Sequence, residues 1–485
     1  MEPIFEIGIE LPPRGSRQRQ RALHRQLRAA ILDGRLKPDV RLPATRELAA
    51  ALGASRNTLV AAYEQLLSEG YLVARPGAGT YVANVLPHAR RRPLPPGARE
   101  GESRLAVLWR QPPALPQPNP EPAAAFDFRL GLSDKTHFPY RAWRRLSARA
   151  LRGISRTPVA YADPAGEPAL REAIARHISL MRAVACQADD LVVTVGAQQG
   201  FDLLARILVT PGRTVVAVED PGYPASRAAF AAAGAAVAPV PVDAEGLMTD
   251  RLPDNTQVII VTPSHQFPLG TVMSMRRRKA LLQFAQAHRA VVIEDDYDGE
   301  FRYGGRPLDA LQTLDRDGSV FYVGTFSKSL FPALRLGFVV PPPWARRALV
   351  AAKQIADWHG PVLAQDTLTA FIAEGHLARH VRRMRKVYGE RRSALLEAMA
   401  RHCGDWLTPL PGEAGLHLAA RLTSPVRAEA IVARAAERGV RVQDLQGYAV
   451  TKGAPKGLAF GLGMIPADRI EDGIRRLAKA ASAAA

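Results

Sequence analysis

Between residues 126 and 485, short apolar runs alternate with helical stripes, and this rhythm constrains the fold more than any other feature. Residues 191–195, 214–219, 258–262, 290–295 and 320–324 are near-continuous apolar segments of strand length. Such runs suit strands buried on both faces. Segments of helical periodicity separate them, so an α/β unit with a mostly parallel sheet is expected. Beyond about Pro341 the chain is helix-rich, with residues 416–422 and 458–462 as strands of a smaller C-terminal lobe.

Residues 14–84 read as a separate helical unit closed by a hairpin. Leu23, Leu27, Ala30 and Ile31 recur at helical spacing, and the stripe ends at Asp33-Gly34. A second helix opens at Thr45. Ser55 caps a third, whose apolar face is Leu59, Ala62, Tyr63, Leu66 and Leu67. Two short extended pieces flank Pro76-Gly77-Ala78-Gly79, giving a helix-turn-helix followed by a β-wing. Arg56, Asn57 and Thr58 open the third helix, where a recognition helix meets phosphates and base edges. Arg41, Arg46 and Arg75 are placed for flanking phosphates, and the wing at Gly77 for close approach to the backbone. A protein-interaction domain with solvated arginines is the plainer alternative.

Between these units, residues 85–125 carry ten prolines and the run Arg90-Arg91-Arg92. Proline-rich segments act as semi-stiff spacers and bury no core, so a linker is expected, with a short helix or docking strip at 105–110. No stretch has the apolar length of a membrane span and no signal sequence opens the chain, so a cytoplasmic protein is expected. Two cysteines, Cys186 and Cys403, give no disulfide framework or cysteine metal site, and no metal is expected. The net charge of +19 favours a polyanionic partner. Between Leu11 and Val82, twelve Lys and Arg face five Asp and Glu.

Of 65 basic residues only nine are lysine. Guanidinium groups stay protonated, whereas a desolvated lysine amine can lose its proton and attack an aldehyde. Lys328, in Thr325-Phe326-Ser327-Lys328-Ser329 after an apolar strand, therefore reads as chosen for chemistry rather than as a solvated surface lysine. An aldehyde cofactor held this way needs a carboxylate at its ring nitrogen, a hydroxyl at its ring oxygen, an aromatic stacking face and phosphate donors. Asp295 ends the fourth strand and Tyr297 follows two residues on, although Glu294-Asp295-Asp296 is equally an acidic strand cap. Gly196-Ala197-Gln198-Gln199-Gly200 opens a helix whose free N–H groups suit a phosphate. Tyr223 offers a stacking face or is an ordinary turn aromatic, and Arg335 offers a further cation.

Two resemblances sharpen these readings. The runs from Leu27 through Pro38, Leu42 through Ala49, Ser55 through Tyr63 and Arg75 through Val82 resemble the winged helix of GntR-type regulators. That resemblance implies DNA contacts from Arg46, Ser55, Arg56, Thr58 and Gly77. The family's usual helix-capping Ser is replaced by Ala44. From residue 126 on, Tyr161-Ala162-Asp163-Pro164-Ala165-Gly166, Gly196-Ala197-Gln198-Gln199, Glu294-Asp295-Asp296-Tyr297 and Ser327-Lys328-Ser329 resemble fold-type I pyridoxal-phosphate enzymes of the class I/II aminotransferase group. The resemblance implies Lys328 as the amine that captures the aldehyde, Asp295 at the ring nitrogen and Tyr297 at the phenolic oxygen. It also implies Tyr223 on the ring face, with Ala197, Gln198, Ser327 and Arg335 around the phosphate.

Two departures bear on activity. Phe267 stands where aminotransferases commonly place an Asn near the ring oxygen, leaving His265 and Gln266 as substitutes. Ala459 stands where they place the Arg that clamps an α-carboxylate, so ordinary transamination is not expected. The whole chain resembles MocR/GabR-type transcriptional regulators. This implies a domain-swapped homodimer that binds paired promoter half-sites of double-stranded DNA on the nucleoid and senses a small amine or pyridoxal phosphate itself. A working aminotransferase with an accessory basic domain, and a regulator without the cofactor, are the alternatives.

Overall fold

The structure, a computed structural model, describes residues 8–13, 16, 18–84, 105–110, 124–156, 160–304, 308–453 and 455–483. It divides into two compact units, Met1–Leu105 and Ala106–Ala485. Most of the expected linker, residues 85–104 and 111–123, lies outside the described residues. Within its described part, Val107–Arg110 forms a single helical turn.

In the first unit three helices, α1 (Arg19–Leu32), α2 (Thr45–Ala51) and α3 (Arg56–Ser68), precede a hairpin of β1 (Leu72–Arg75) and β2 (Gly79–Val82). The strands pair antiparallel with Leu72 opposite Val82 and Arg75 opposite Gly79. Leu23, Leu27, Leu48, Leu59, Leu66 and Val82 close one core, and full burial of each such leucine contributes about 1.5–3 kcal/mol. The Ser55 hydroxyl caps α3 by accepting the Thr58 N–H at 3.2 Å. Ala44 offers α2 no such acceptor; the Glu47 carboxylate still accepts the Ala44 N–H at 3.2 Å, so half of a reciprocal cap survives.

The second unit is built on an eight-stranded sheet. A short parallel pair, β3 (Phe126–Asp127) with β14 (Val440–Arg441), lies apart from it. The large sheet contains β4 (Val192–Thr194), β5 (Val215–Asp220), β6 (Ala236–Asp243), β7 (Gly246–Leu247), β8 (Val258–Val261), β9 (Val291–Asp296), β10 (Val320–Thr325) and β11 (Gly337–Val340). Their order is β4-β11-β10-β9-β8-β5-β6-β7. Neighbours from β10 through β6 run parallel, while β11 is antiparallel to both its neighbours and β7 antiparallel to β6. The expected strands are all present, and the reversed β11, the parallel β6 and the short edge strand β7 complete the sheet.

Alternate residues of each strand serve different layers. Val216 and Val218 pack with Phe201 and Leu204 of the helix Ala197–Leu208, whereas Ala217 packs with Leu281 and Ala285 of the helix Met275–His288. This is the period-two pattern of a sheet covered on both faces. The smaller lobe holds an antiparallel sheet of β12 (Leu407–Pro409), β13 (His417–Leu422), β16 (Gly457–Gly461) and β15 (Gln443–Asp444), in that order. The parallel strands end together, so Glu219, Thr262, Asp295 and the turn holding Lys328 share one edge of the large sheet. Ligand sites of α/β sheets form at that edge.

Candidate functional site

Lys328 follows β10 and is half-buried. Its Nζ donates to the Gly131 carbonyl at 2.8 Å. Gly131 has φ +80, and a Cβ there would stand 3.1 Å from that Nζ, so the amine meets bare backbone. Burial lowers the amine below the ordinary lysine value; Asp298 and Asp295 oppose the shift and Arg335 adds to it. A lowered value keeps a larger neutral fraction available for attack on a carbonyl.

The acidic run before Tyr297 sorts into three roles. Glu294 accepts the N–H groups of Leu311 at 2.8 Å and Gln312 at 2.9 Å. Asp296 accepts from Arg182 Nε at 2.6 Å and from the Tyr322 hydroxyl at 2.5 Å. Asp295 is also buried, yet its Oδ1 has no partner among the described residues. Its carboxyl is pushed up to about 8, by burial first and then by Asp296, with Lys328 acting in the opposite sense. A buried, unpartnered carboxyl at a strand tip fits a protonated ring nitrogen, because a cation there would satisfy the oxygen and favour its ionised form. Strand capping accounts for Glu294 and Asp296 and leaves Asp295 unexplained.

The Tyr297 hydroxyl donates to the His265 carbonyl at 2.9 Å and lies 3.0 Å from His265 Nδ1. Tyr223 is 39% exposed and meets Phe267 edge-on at 5.5 Å between ring centres. At the expected anion nest, Gly196 caps the helix of Ala197 and Gln198 with φ +76. The Arg335 guanidinium lies so close that a Cβ at Gly196 would be 2.9 Å from it, and its Nη2 donates to the Val195 carbonyl at 2.9 Å. Ser327 is next to Lys328, and its hydroxyl accepts from Thr325 Oγ1 at 3.1 Å. Gln198 Oε1 is buried and has no partner among the described residues. Amine, carboxyl, aromatic face and a helix N-terminus flanked by a guanidinium fit an aldehyde cofactor bearing a phosphate.

Sequence reasoning left out a group that the fold brings in from the small lobe. Asp298 lies 3.0 Å from His265 Nδ1 and accepts the Leu416 N–H at 3.0 Å. His417 packs beside His265 with ring centres 4.4 Å apart and donates from Nε2 to the Pro268 carbonyl at 3.0 Å. Burial, with His265 adding to it, pushes His417 down to about 3. Gly415 is required here, because a Cβ on it would sit 1.9 Å from His265 Cε1. His265, Asp298 and His417 hold ligand-type atoms within 4.8 Å of one another; these hydrogen bonds already engage one nitrogen of each histidine. No signal in the sequence links residue 298 to residue 417.

The departures from the aminotransferase pattern are also packed. His265 is turned to Asp298, and Gln266 Nε2 donates to Glu219, to the Pro221 carbonyl and to the Phe267 carbonyl. Phe267 is edge-on to Tyr223, Tyr297 and Tyr448. Ala459 is fully buried and packs with Leu269, Ala419 and Leu445, so its own side chain offers an α-carboxylate only apolar surface.

In the first unit Arg46, Ser55, Arg56 and Asn57 are exposed, and Thr58 is half-buried with its hydroxyl 2.8 Å from that of Ser55. Arg75 is exposed but salt-bridged to Asp39, with its guanidinium 4.4 Å above the Tyr81 ring centre. Gly77 turns the wing with φ +74.

Fold and site together define a winged-helix DNA-binding unit joined to an aminotransferase-like unit. Residues 19–82 match the bacterial regulatory proteins of the gntR family, and residues 129–458 match aminotransferase class I and II. The chain is 38% identical to the probable rhizopine catabolism regulatory protein MocR of Rhizobium meliloti, covering 95% of this chain and 93% of that one. It is 33% identical to the pyridoxine biosynthesis transcriptional regulator PdxR of Corynebacterium glutamicum, over 95% of each. The second unit is similar in structure to LysN, the α-aminoadipate aminotransferase of Thermus thermophilus. That match has a TM-score of 0.68 and 30% identity, covering 74% of this chain and 92% of LysN. The chain belongs to the MocR-type transcriptional regulators, which join a GntR helix-turn-helix to an aminotransferase-like domain of a pyridoxal-phosphate-dependent fold family. Among the described residues no helix is long and apolar enough to cross a membrane.

Proposed function

We propose that this regulator captures pyridoxal 5'-phosphate at Lys328 and that the capture, alone or with a small amine, controls its binding to promoter DNA. The observation that carries the reading is Asp295, whose buried Oδ1 has no partner among the described residues while the other acids of its run are satisfied. When bound, the cofactor supplies a carbonyl that condenses with amines. Lys328 is the attacking amine, Asp295 holds the ring-nitrogen proton, Tyr297 orients the ring oxygen and Tyr223 covers the ring. The N–H groups of Ala197 and Gln198, with Ser327 and Arg335, hold the phosphate. Arg46, Ser55, Arg56, Asn57, Thr58, Arg75 and Gly77 form the DNA face.

The apolar packing around Ala459 favours an effector without an α-carboxylate, or the cofactor itself, over an amino acid undergoing turnover. In a homodimer with exchanged DNA-binding arms, a change in dimer geometry alters the spacing of the two winged helices and hence their fit to paired half-sites. The test is a footprint on the protein's own upstream region with and without pyridoxal phosphate and candidate amines, with the absorption spectrum recorded in parallel. The expected result is a new absorption band, lost in Lys328→Ala, together with an altered footprint. A colourless protein with an unchanged footprint refutes the reading. Sustained amino transfer between an amino acid and a keto acid, without DNA binding, instead supports an aminotransferase.

A further inference from the structure

Beside Asp295 lie two side chains with buried polar atoms, Glu219 and Arg227, that cofactor capture leaves unused. Glu219, Tyr223, Ser226, Arg227, Thr262 and Asp295 line a narrow cleft with room for about one water molecule. Three side-chain atoms of these residues are buried without a partner among the described residues: Asp295 Oδ1, Glu219 Oε1 and Arg227 Nη1. A buried polar group without a partner is costly, so Glu219 Oε1 and Arg227 Nη1 call for a shared partner, and Asp295 Oδ1 has a second lone pair to offer it beside the one the ring nitrogen would use.

Glu219 is 4% exposed. Its other oxygen accepts from Thr262 Oγ1 at 2.5 Å, from the Thr262 N–H at 3.2 Å and from Gln266 Nε2 at 3.2 Å. Arg227 lies on the helix Pro224–Ala232, one turn beyond Tyr223. The charged group facing it is Asp220, whose oxygens accept from the N–H groups of Val450 and Thr451. Asp295 is faced by Asp296, Lys328, Asp298 and Glu219.

We infer that one ordered water in this cleft accepts from Arg227 Nη1 and donates to Glu219 Oε1 and Asp295 Oδ1, making Arg227 and Glu219 positioning residues for the ring-nitrogen carboxylate. The inference rests on the cofactor reading above. Donors and acceptors balance: one N–H enters the water and its two protons leave to two oxygens. Through it the guanidinium favours the ionised form of Asp295, while the neighbouring carboxylate opposes that form.

The test measures pyridoxal phosphate uptake by the full chain as a function of pH. The bound state holds one proton between Asp295 and the ring nitrogen. Where the ring nitrogen of the free cofactor is unprotonated, uptake therefore weakens as pH rises past the point where the free carboxyl loses its proton. Arg227→Met is expected to move that fall-off up by about one pH unit and Arg227→Lys to move it less; Glu219→Gln is expected to move it down. A purely structural role predicts no such opposition of sign. Shifts of one sign, or none, in variants that still take up the cofactor overturn the inference. Failure of the wild-type protein to take up pyridoxal phosphate overturns the cofactor reading instead. A high-resolution crystal structure of the protein alone then decides the remaining point: a water within hydrogen-bond distance of all three atoms supports the relay, and a dry cleft rejects it.

Discussion

His265 Nδ1 lies 3.0 Å from Asp298 Oδ2, with both side chains almost fully buried. The same carboxylate is the first of the anions that resist the lowering of the Lys328 amine by burial. One acid therefore ties the sheet edge to the small lobe through Leu416 and also tunes the candidate reactive amine. Asp298→Ala leaves the Leu416 N–H without its acceptor and the His265 ring with the Tyr297 hydroxyl in place of a carboxylate. The second unit should lose about 3 kcal/mol of stability, read as a lower midpoint in urea. Asp298→Asn, which keeps an acceptor, should lose less while lowering the Lys328 amine further.

Asp295 gives stability a pH dependence with a definite sign. Its carboxyl is raised from the ordinary aspartate value to about 8, so the folded chain binds that proton more tightly than the unfolded chain. This contribution is fully present below about pH 4 and fades as pH rises towards about 8. Asp295→Asn removes it. Unfolding free energies of the cofactor-free protein should therefore show the variant gaining on the wild type across that window. A difference that stays constant with pH would contradict the assignment.

Arg56→Ala should weaken promoter binding ten- to a hundredfold, corresponding to about 1–3 kcal/mol for a good base contact, with pyridoxal phosphate uptake unchanged. Gel-shift titration at fixed salt, beside a spectral titration of the same preparation, checks both halves.

Ala44→Ser supplies the missing acceptor at the start of α2, where the Glu47 half of the reciprocal cap already stands. A gain of about 1 kcal/mol in the first unit is expected. It should appear as a higher midpoint for that unit's thermal transition.

Ala459→Arg tests whether the lost carboxylate clamp can be restored by one change. Leu269, Ala419 and Leu445 surround position 459, so the new guanidinium would be buried without a partner. A loss of about 3–5 kcal/mol is expected, with no gain of amino-acid transamination in a coupled assay.

The helices and wing of the first unit were legible because each boundary carries local chemistry. Ser55 caps α3, and Gly70, with φ +75, follows its end. Lys328 was legible for a different reason: in a chain that uses arginine almost everywhere, a lysine after a buried strand stands out. The Tyr161 motif illustrates the limit, since Tyr161 is 76% exposed and meets Trp358 at a tilted angle with ring centres 4.7 Å apart.

The sequence by itself determined two modules and a mostly parallel sheet, and it singled out a candidate amine and a candidate acid, because strand periodicity, capping residues and residue chemistry are local properties. The tertiary structure decided which acid of Glu294-Asp295-Asp296 keeps an oxygen without a partner among the described residues, since Arg182, Tyr322 and the N–H groups of Leu311 and Gln312 arrive from elsewhere in the chain. It likewise brought His417 against His265 and enclosed Ala459 in apolar neighbours. Those outcomes depend on burial and on partners distant in sequence, whose energies exist only once the chain has folded.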